Sequence, residues 1–178
     1  MTTIVGIQHE DGCILASDSR VVAEGKIYTH PDMVKSVAKG GYIYGVSGDY
    51  RVLQILLHIW KPPLVTEKAR DNVYEFAITK IVPSIKQSLS DAGIDVSKMI
   101  EDKFEFSVLM GINGTLLEID SYFSVTMNDS NYYAIGSGGD FALGALYAGA
   151  GALDALRIAA INNNGTSAPF HILEQKTK

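Results

Sequence analysis

The spacing of apolar residues changes period four times along the chain, and that succession limits the fold more than any other feature of the sequence. Residues 2–8 and 12–18 read as two extended segments rich in β-branched and apolar side chains, joined by a turn at His9-Glu10-Asp11-Gly12. A polar loop through Gly25 and His30-Pro31 follows, and residues 34–37 and 42–47 alternate as a second hairpin across Lys39-Gly40-Gly41. From Tyr50 the period becomes helical: Val52, Ile55, Leu56 and Ile59 share one face, Asp49 stands at the cap, and Pro62-Pro63 stops the helix. A second, longer helix is expected from a cap at Asp71, with the stripe Val73, Phe76, Ala77, Ile81, Ile85 and Leu89, a kink at Pro83 and an end at Gly93.

Strands return at 104–110 and 115–119, divided by Ile112-Asn113-Gly114, whose Asn-Gly pair favours a two-residue hairpin turn. Short strands are predicted at 122–126 and 132–135. Gly136-Ser137-Gly138-Gly139-Asp140 then leads into two Ala-rich helices, 141–148 and 152–161, separated by Gly149-Ala150-Gly151, and a strand at 170–173 closes the series. Because the strands are joined by hairpins and not by βαβ crossovers, the sheets should be antiparallel, each covered by a helix pair. The expected class is α+β, a four-layer αββα sandwich, and 178 residues suit one domain over 1–178.

Composition removes several function classes. With 47% apolar and 20% charged residues the chain is too apolar to stay disordered. A net charge of −5 and the lack of any Lys/Arg run interleaved with aromatics argue against a nucleic-acid partner. Cys13 stands alone in an apolar stretch, so an internal disulfide is impossible and a buried thiol is expected. The amino terminus has no basic region ahead of an apolar one, and no apolar run is long enough to span a bilayer, which points to the cytoplasm and to no membrane partner. His9, His30, His58 and His171 lack metal-ligand spacing, and Ser47 and Ser137 lack the Gly-x-Ser-x-Gly setting of a serine hydrolase.

What remains is an unusual nucleophile. Removal of Met1 would leave Thr2 with its hydroxyl and a free α-amine on one residue at the tip of a strand. An α-amine, with a reference pKa of roughly 7.7–8.0, can take the hydroxyl proton without a histidine. If the strand ending in Asp18-Ser19-Arg20 pairs with residues 2–8, Asp18 lies beside that amine; the alternative is a turn-forming Asp paired with Arg20. In Val34-Lys35-Ser36-Val37, either Lys35 or Ser36 can be registered to face the nucleophile, and Lys35 there would lower the hydroxyl pKa. The 136–139 turn sits between a strand and a helix, where free N–H groups favour an oxyanion or a phosphate, although a P-loop's Lys-Ser/Thr is missing. Gly45 could let the main chain donate to an oxyanion.

In order along the chain, Thr2-Thr3-Ile4-Val5, Ala16-Ser17-Asp18-Ser19-Arg20, residues 45–49 and Ala134-Ile135-Gly136-Ser137-Gly138-Gly139 resemble the N-terminal nucleophile hydrolases of the proteasome β-subunit type, including the peptidase component of a bacterial ATP-dependent protease. The resemblance covers nearly the whole chain. It implies a threonine peptidase with Thr2 as nucleophile once Met1 is removed, Asp18 and Lys35 tuning it, Ser137 with Gly138 completing the proton network, and Gly45 supplying the oxyanion N–H. It further implies Val21, Val22 and Ser47 as substrate-binding residues, a ring-forming homo-oligomer, an AAA+ ATPase unfoldase as partner, peptides or unfolded proteins as substrates, and no cofactor or metal. A non-proteolytic amidohydrolase of the same nucleophile class and an inactive ring subunit are the alternatives. The chain departs from the family's Asp and Ser near the last helix end, where it has Asn162-Asn163-Asn164-Gly165-Thr166-Ser167; an Asn can hydrogen-bond but carries no charge.

Overall fold

A computed structural model describes residues 1–30, 32–99, 101 and 104–177. The chain begins with the expected hairpin of β1 (Ile4–His9) and β2 (Gly12–Ser17). Where a polar loop was predicted, Val21–Ala23 (β3) and Lys26–Tyr28 (β4) pair as a small hairpin. Glu24 and Gly25 turn it with φ of 50° and 75°. Strands of three residues are too short to show a period, so only the glycine marked this turn. Pro31 of the predicted loop lies outside the described residues. The second hairpin is β5 (Ser36–Lys39) and β6 (Tyr42–Gly48).

Asp49 caps α1 (Tyr50–Gln54), its carboxylate accepting from the N–H groups of Arg51 and Val52 at 2.8 and 3.1 Å. The helix then widens into π-helical turns over Ile55–Ile59 and ends at Trp60, ahead of the two prolines. The longer helix is divided. Thr66 caps α2 (Glu67–Asp71) and Asn72 caps α3 (Val73–Phe76), so Asp71 is the last residue of one helix and its neighbour caps the next. A π segment at Ala77–Ile81 leads into α4 (Val82–Asp91), with Pro83 in its first turn. Proline lacks the N–H that an uninterrupted α-helix would need there, and a π segment is one way to absorb the missing bond. Gly93, at φ 85°, ends α4.

Strands β7 (Phe106–Ile112) and β8 (Thr115–Asp120) are joined by Asn113 and Gly114, both at positive φ as a two-residue primed turn requires. The next strand shrinks to β9 (Val125–Thr126), because the Asp120 carboxylate accepts from the N–H groups of Tyr122 and Ser124 and folds the intervening residues into a turn. Then come β10 (Tyr132–Ile135), α5 (Gly139–Tyr147), α6 (Ala152–Asn162) and β11 (His171–Lys176). One sheet runs β10-β1-β2-β11 and the other β5-β6-β7-β8-β9, with every pairing antiparallel.

Strand alternation creates the layers. On β1, Ile4 points between the sheets with Leu15, Ile43, Leu109 and Leu116, while Val5 points outward under α5 and α6 with Ala142, Leu146 and Leu156. The outer face of the second sheet packs Tyr44, Val108 and Leu117 against Leu56, Trp60, Ile81 and Ile85 of the other helices. The result is the αββα sandwich. Among the described residues no helix is long and apolar enough to cross a membrane, and no group of His, Cys, Asp and Glu is placed to hold a metal ion.

Cys13 lies in the inter-sheet core, 1% exposed, and burial pushes its thiol up to about 12. The native protein should therefore resist Ellman's reagent at pH 8 and react stoichiometrically once unfolded in guanidinium. Rapid modification of the folded chain would show that this core opens.

Candidate active site

Pairing in the first sheet brings the pieces together. Ile4 lies opposite Ser17 on β2 and Ile135 on β10, so the residues that follow those two strands emerge beside Thr2 and Thr3. The β1–β2 ladder gains one more rung through a side chain: Asp18 N–H donates to the Thr3 carbonyl at 3.1 Å, and Thr3 N–H donates to Asp18 Oδ1 at 2.9 Å. Asp18 Oδ1 also accepts from Lys35 Nζ at 2.8 Å, while Oδ2 accepts from the N–H groups of Arg20 at 3.0 Å and Ser167 at 3.3 Å.

Both members of this ion pair are almost wholly buried. A buried pair is tolerable when the charges are matched and the remaining lone pairs are satisfied, and four donors on one carboxylate meet that condition. Burial lowers the Lys35 pKa, partly opposed by the Asp18 charge and its hydrogen bond. The Arg20 guanidinium does not compete for the carboxylate; it donates to the Asn164 carbonyl at 2.8 Å.

The ambiguity between Lys35 and Ser36 is resolved by register. Ser36 opens β5 opposite Gly45 and its hydroxyl meets that of Ser17 at 2.8 Å, which leaves Lys35 to reach the start of the chain. Lys35 Nζ donates to the Met1 carbonyl at 3.0 Å, the carbonyl bonded to Thr2 N. With Met1 in place Thr2 N is a peptide nitrogen, and it donates to Ser137 Oγ at 3.3 Å. The α-amine of Met1 is depressed chiefly by burial, with the Lys35 charge adding to the effect and Asp18 opposing it. Thr2 Oγ has no hydrogen-bond partner among the described residues.

The 136–139 turn braces this residue from behind. Gly136 has φ 88°, and a Cβ there would collide with the Thr2 carbonyl; at Gly138 it would collide with the Thr3 and Thr166 hydroxyls. Gly138 N–H reaches the Thr2 carbonyl at 3.5 Å, and α5 starts at the next residue. Gly136→Ala should therefore cost about 1–3 kcal/mol for its forced backbone alone, read as a lower urea midpoint. An unchanged midpoint would mean that the turn accommodates a side chain.

A cleft of about 570 Å³ opens at Thr2, bounded by Ser47, Gly48, Phe104, Phe106, Tyr122 and Ser137. Of the residues expected at the site, Asp18, Lys35, Ser137 and Gly138 come together around Thr2, and Ser47 borders the cleft. Gly45 does not. It is buried in mid-strand, where a Cβ would press on Ile4 and the Lys35 carbonyl. Val46 N–H donates to that carbonyl at 3.0 Å and Asp49 N–H donates to Glu105 O at 2.7 Å. Alternation along β6 therefore turns the N–H of Gly45 toward β7 and that of Gly48 toward the opposite edge, so Gly48 is the glycine whose donor is available on the cleft side. Val21 and Val22 start β3 just beyond Arg20 and do not line this cleft.

Three further contributors come from the stretch 162–167, which the sequence set against the family's Asp and Ser without assigning a contact to any residue. Ser167 donates its N–H to Asp18, Asn163 contacts both ends of Ser137, and Thr166 shares a hydrogen bond with Thr3. The sequence signal was the place of this stretch at the last helix end, where the family carries an Asp and a Ser; what each residue touches was not part of it.

The layer order, the strand topology and the amino-terminal strand inside the first sheet make this the fold of N-terminal nucleophile hydrolases of the proteasome β-subunit type. No protein-family model matches the sequence, and no curated protein matches it. Among solved structures, the chain is similar to BPH of Thiobacillus denitrificans in complex with epoxomicin, at 17% identity and a TM-score of 0.74 over 99% of this chain and 100% of that one. It is similar to a eukaryotic HslV from Trypanosoma brucei, at 19% identity and 0.66 over 98% and 99%. Anbu, an ancestral β-subunit from Yersinia bercovieri, gives 16% identity and 0.70 over 98% and 81%. Likeness at these identities is likeness of fold; the chemistry has to be argued from the residues.

Proposed function

We propose that the protein is a threonine-type endopeptidase subunit of a self-compartmentalising protease, acting through Thr2 after Met1 is removed. The observation that carries this reading is the placement of Thr2 between two proton-handling groups: the buried Lys35–Asp18 pair reaches the carbonyl on its nitrogen, and Ser137 Oγ meets the nitrogen itself. Once freed, the Thr2 amine takes the proton of its own hydroxyl as Oγ attacks a peptide carbonyl. The surroundings that depress the Met1 amine, burial and the Lys35 charge, would favour the neutral form of an amine at Thr2 as well. Lys35 favours the developing alkoxide electrostatically, and the oxyanion of the tetrahedral adduct meets the Gly48 N–H, which takes the place first given to Gly45. The amine then passes its proton to the leaving amine, an ester remains on Thr2, and water releases it by the reverse sequence. Protein groups alone balance these steps, so no cofactor is required.

The wider reading includes a homo-oligomeric ring, an AAA+ ATPase that delivers unfolded substrate, and a cytoplasmic location. Assembly is supported by exposed apolar side chains on the outer helices, Phe141, Tyr147 and Ile161, and by Anbu of Pseudomonas aeruginosa, which forms a helical assembly. Because BPH has been seen bound to epoxomicin, an epoxyketone is the direct probe. Intact-mass analysis of treated protein should show a chain beginning at Thr2 and carrying one adduct on that residue. A chain that begins at Thr2 yet takes up no probe and cleaves no peptide would overturn the reading.

One observation favours an inactive ring subunit as the second reading. Met1 is well seated, with its carbonyl on Lys35 and its Cβ so close to Gly165 that a side chain there would collide with it. A chain that retains methionine in its native host would support that alternative.

A further inference from the structure

We propose that the cleft beside Thr2 selects substrates with arginine or lysine as the residue that follows the cleaved bond, through Glu105 and Asp120 on its walls. The inference rests on the reading of Thr2 as nucleophile and names a substrate class that the reading leaves open. Which half of the substrate lies in the cleft follows from the path of the proton. The Thr2 nitrogen, which protonates the departing amine in the proposed reaction, stands 3.3 Å from Ser137 Oγ, and Ser137 borders the cleft, whereas Lys35 and Asp18 do not line it. The half that leaves with the new amine therefore runs along the cleft.

The walls carry negative charge without a counter-ion. Glu105 and Asp120 both line the cleft, neither belongs to an ion pair, and no Lys or Arg lines it among the described residues. Lys86 is engaged elsewhere, its Nζ 4.6 Å from the centroid of the Phe123 ring. Glu118, on the same face of β8 as Asp120, is held above the usual carboxylate range chiefly by burial; its hydrogen bond with Ser107 opposes the effect and the Asp120 charge adds to it. A substrate carboxylate entering the cleft would meet that same repulsion, and a cationic side chain would relieve it.

The remaining walls suit the stem of a long basic side chain. Phe104, Phe106 and Tyr122 line the cleft, and an ammonium or guanidinium gains from an aromatic face while its methylenes pack on the rings. Tyr122 is 66% exposed, and the turn beneath it sets its place at the rim. Asp120 Oδ1 accepts from the N–H groups of Tyr122 and Ser124, both at 2.9 Å. Phe123 follows in the left-handed region at φ 64°, its ring packed edge-on against Phe106 with centroids 5.8 Å apart. One Asp120 oxygen thus builds the turn, and the other, with no hydrogen bond among the described residues, is left to a substrate cation.

The test uses the full-length protein and internally quenched peptides that differ only in the residue after the cleaved bond, Arg, Gln or Glu, with the bond identified by mass spectrometry of the products. In wild type kcat/KM should fall from Arg through Gln to Glu, with Arg over Glu by roughly tenfold, the worth of two part-exposed ion pairs. The double variant Glu105→Gln with Asp120→Asn should bring that ratio close to one, because an Asn oxygen can still accept the N–H groups of the turn while the charge is gone. A wild-type ratio within about twofold of one, or an undiminished ratio in the double variant, overturns the proposal. If the Asp120 variant does not fold, Glu105→Gln and added salt decide: both should compress the wild-type ratio, and a ratio that neither changes overturns the proposal. A wild type that neither labels with an epoxyketone nor cleaves any peptide defeats the reading of Thr2, and this inference with it. Normal labelling and cleavage that ignore the charge of the varied residue defeat the selectivity alone.

Discussion

Thr2→Ala should reduce peptide cleavage to background and abolish epoxyketone labelling, with the melting curve only slightly lowered. The loss expected on deleting a covalent nucleophile is about 10⁶-fold in kcat, beyond the range of most assays. Stability should change little because Thr2 Oγ has no hydrogen-bond partner among the described residues, so its removal strands no donor or acceptor. The contacts that hold residue 2, to Ser137 and Gly138, are made by its main chain. Thr2 is buried, so the loss of its methyl group sets the expected cost, about 1 kcal/mol. Turnover at the wild-type level, or an adduct on another residue, would remove Thr2 from the chemistry.

Lys35→Ala should be the most damaging single change to stability at the site, and it should lower turnover strongly as well. It leaves the Asp18 carboxylate buried with the N–H groups of Thr3, Arg20 and Ser167 but without its cation. Breaking a buried pair from one side costs about 3–5 kcal/mol. The pH dependence carries a separate sign. Burial holds the folded Lys35 pKa below its ordinary 10.5, so between those two values the unfolded chain binds the proton and the folded chain does not. Wild-type stability should therefore gain from Lys35 as pH rises through that window, and the gain is absent from Lys35→Ala. Urea titrations of the two proteins from pH 7 to 10.5 would show it as a difference in slope; parallel curves would contradict it. Asp18→Asn should also lower turnover strongly. Near wild-type activity in Lys35→Ala would transfer the tuning role to another residue.

What the sequence revealed and what it hid divide along a physical line. The αββα class was legible because each layer imposes a period of two or of 3.6 on many residues. Thr2, Asp18 and Ser137 were legible because they lie at strand ends, and a hairpin between β1 and β2 can place residue 18 only beside residues 2 and 3. Strand parity was not legible. Lys35 versus Ser36, and Gly45 versus Gly48, are choices of which way a pleat faces, and that is set by pairing with a strand far away in sequence. Asp71 and Asn72 are both good caps one residue apart, and the helix capped by Thr66 uses up the first of them. Asn163 was visible only as part of the stretch that stands where the family has an Asp; its contact with Ser137 is long-range, which local pattern cannot show.

The site also has a schedule in time. Its parts come from residues 2, 18, 35, 48, 137 and 163, and β1 cannot be flanked on both sides until β10 exists. A nascent chain on the ribosome carries Thr2 first and the residues that brace it last. On the proposed reading, no cutting centre is assembled before α6 and the turn after it have been made, a safeguard that requires no inhibitor and follows from the order of translation alone.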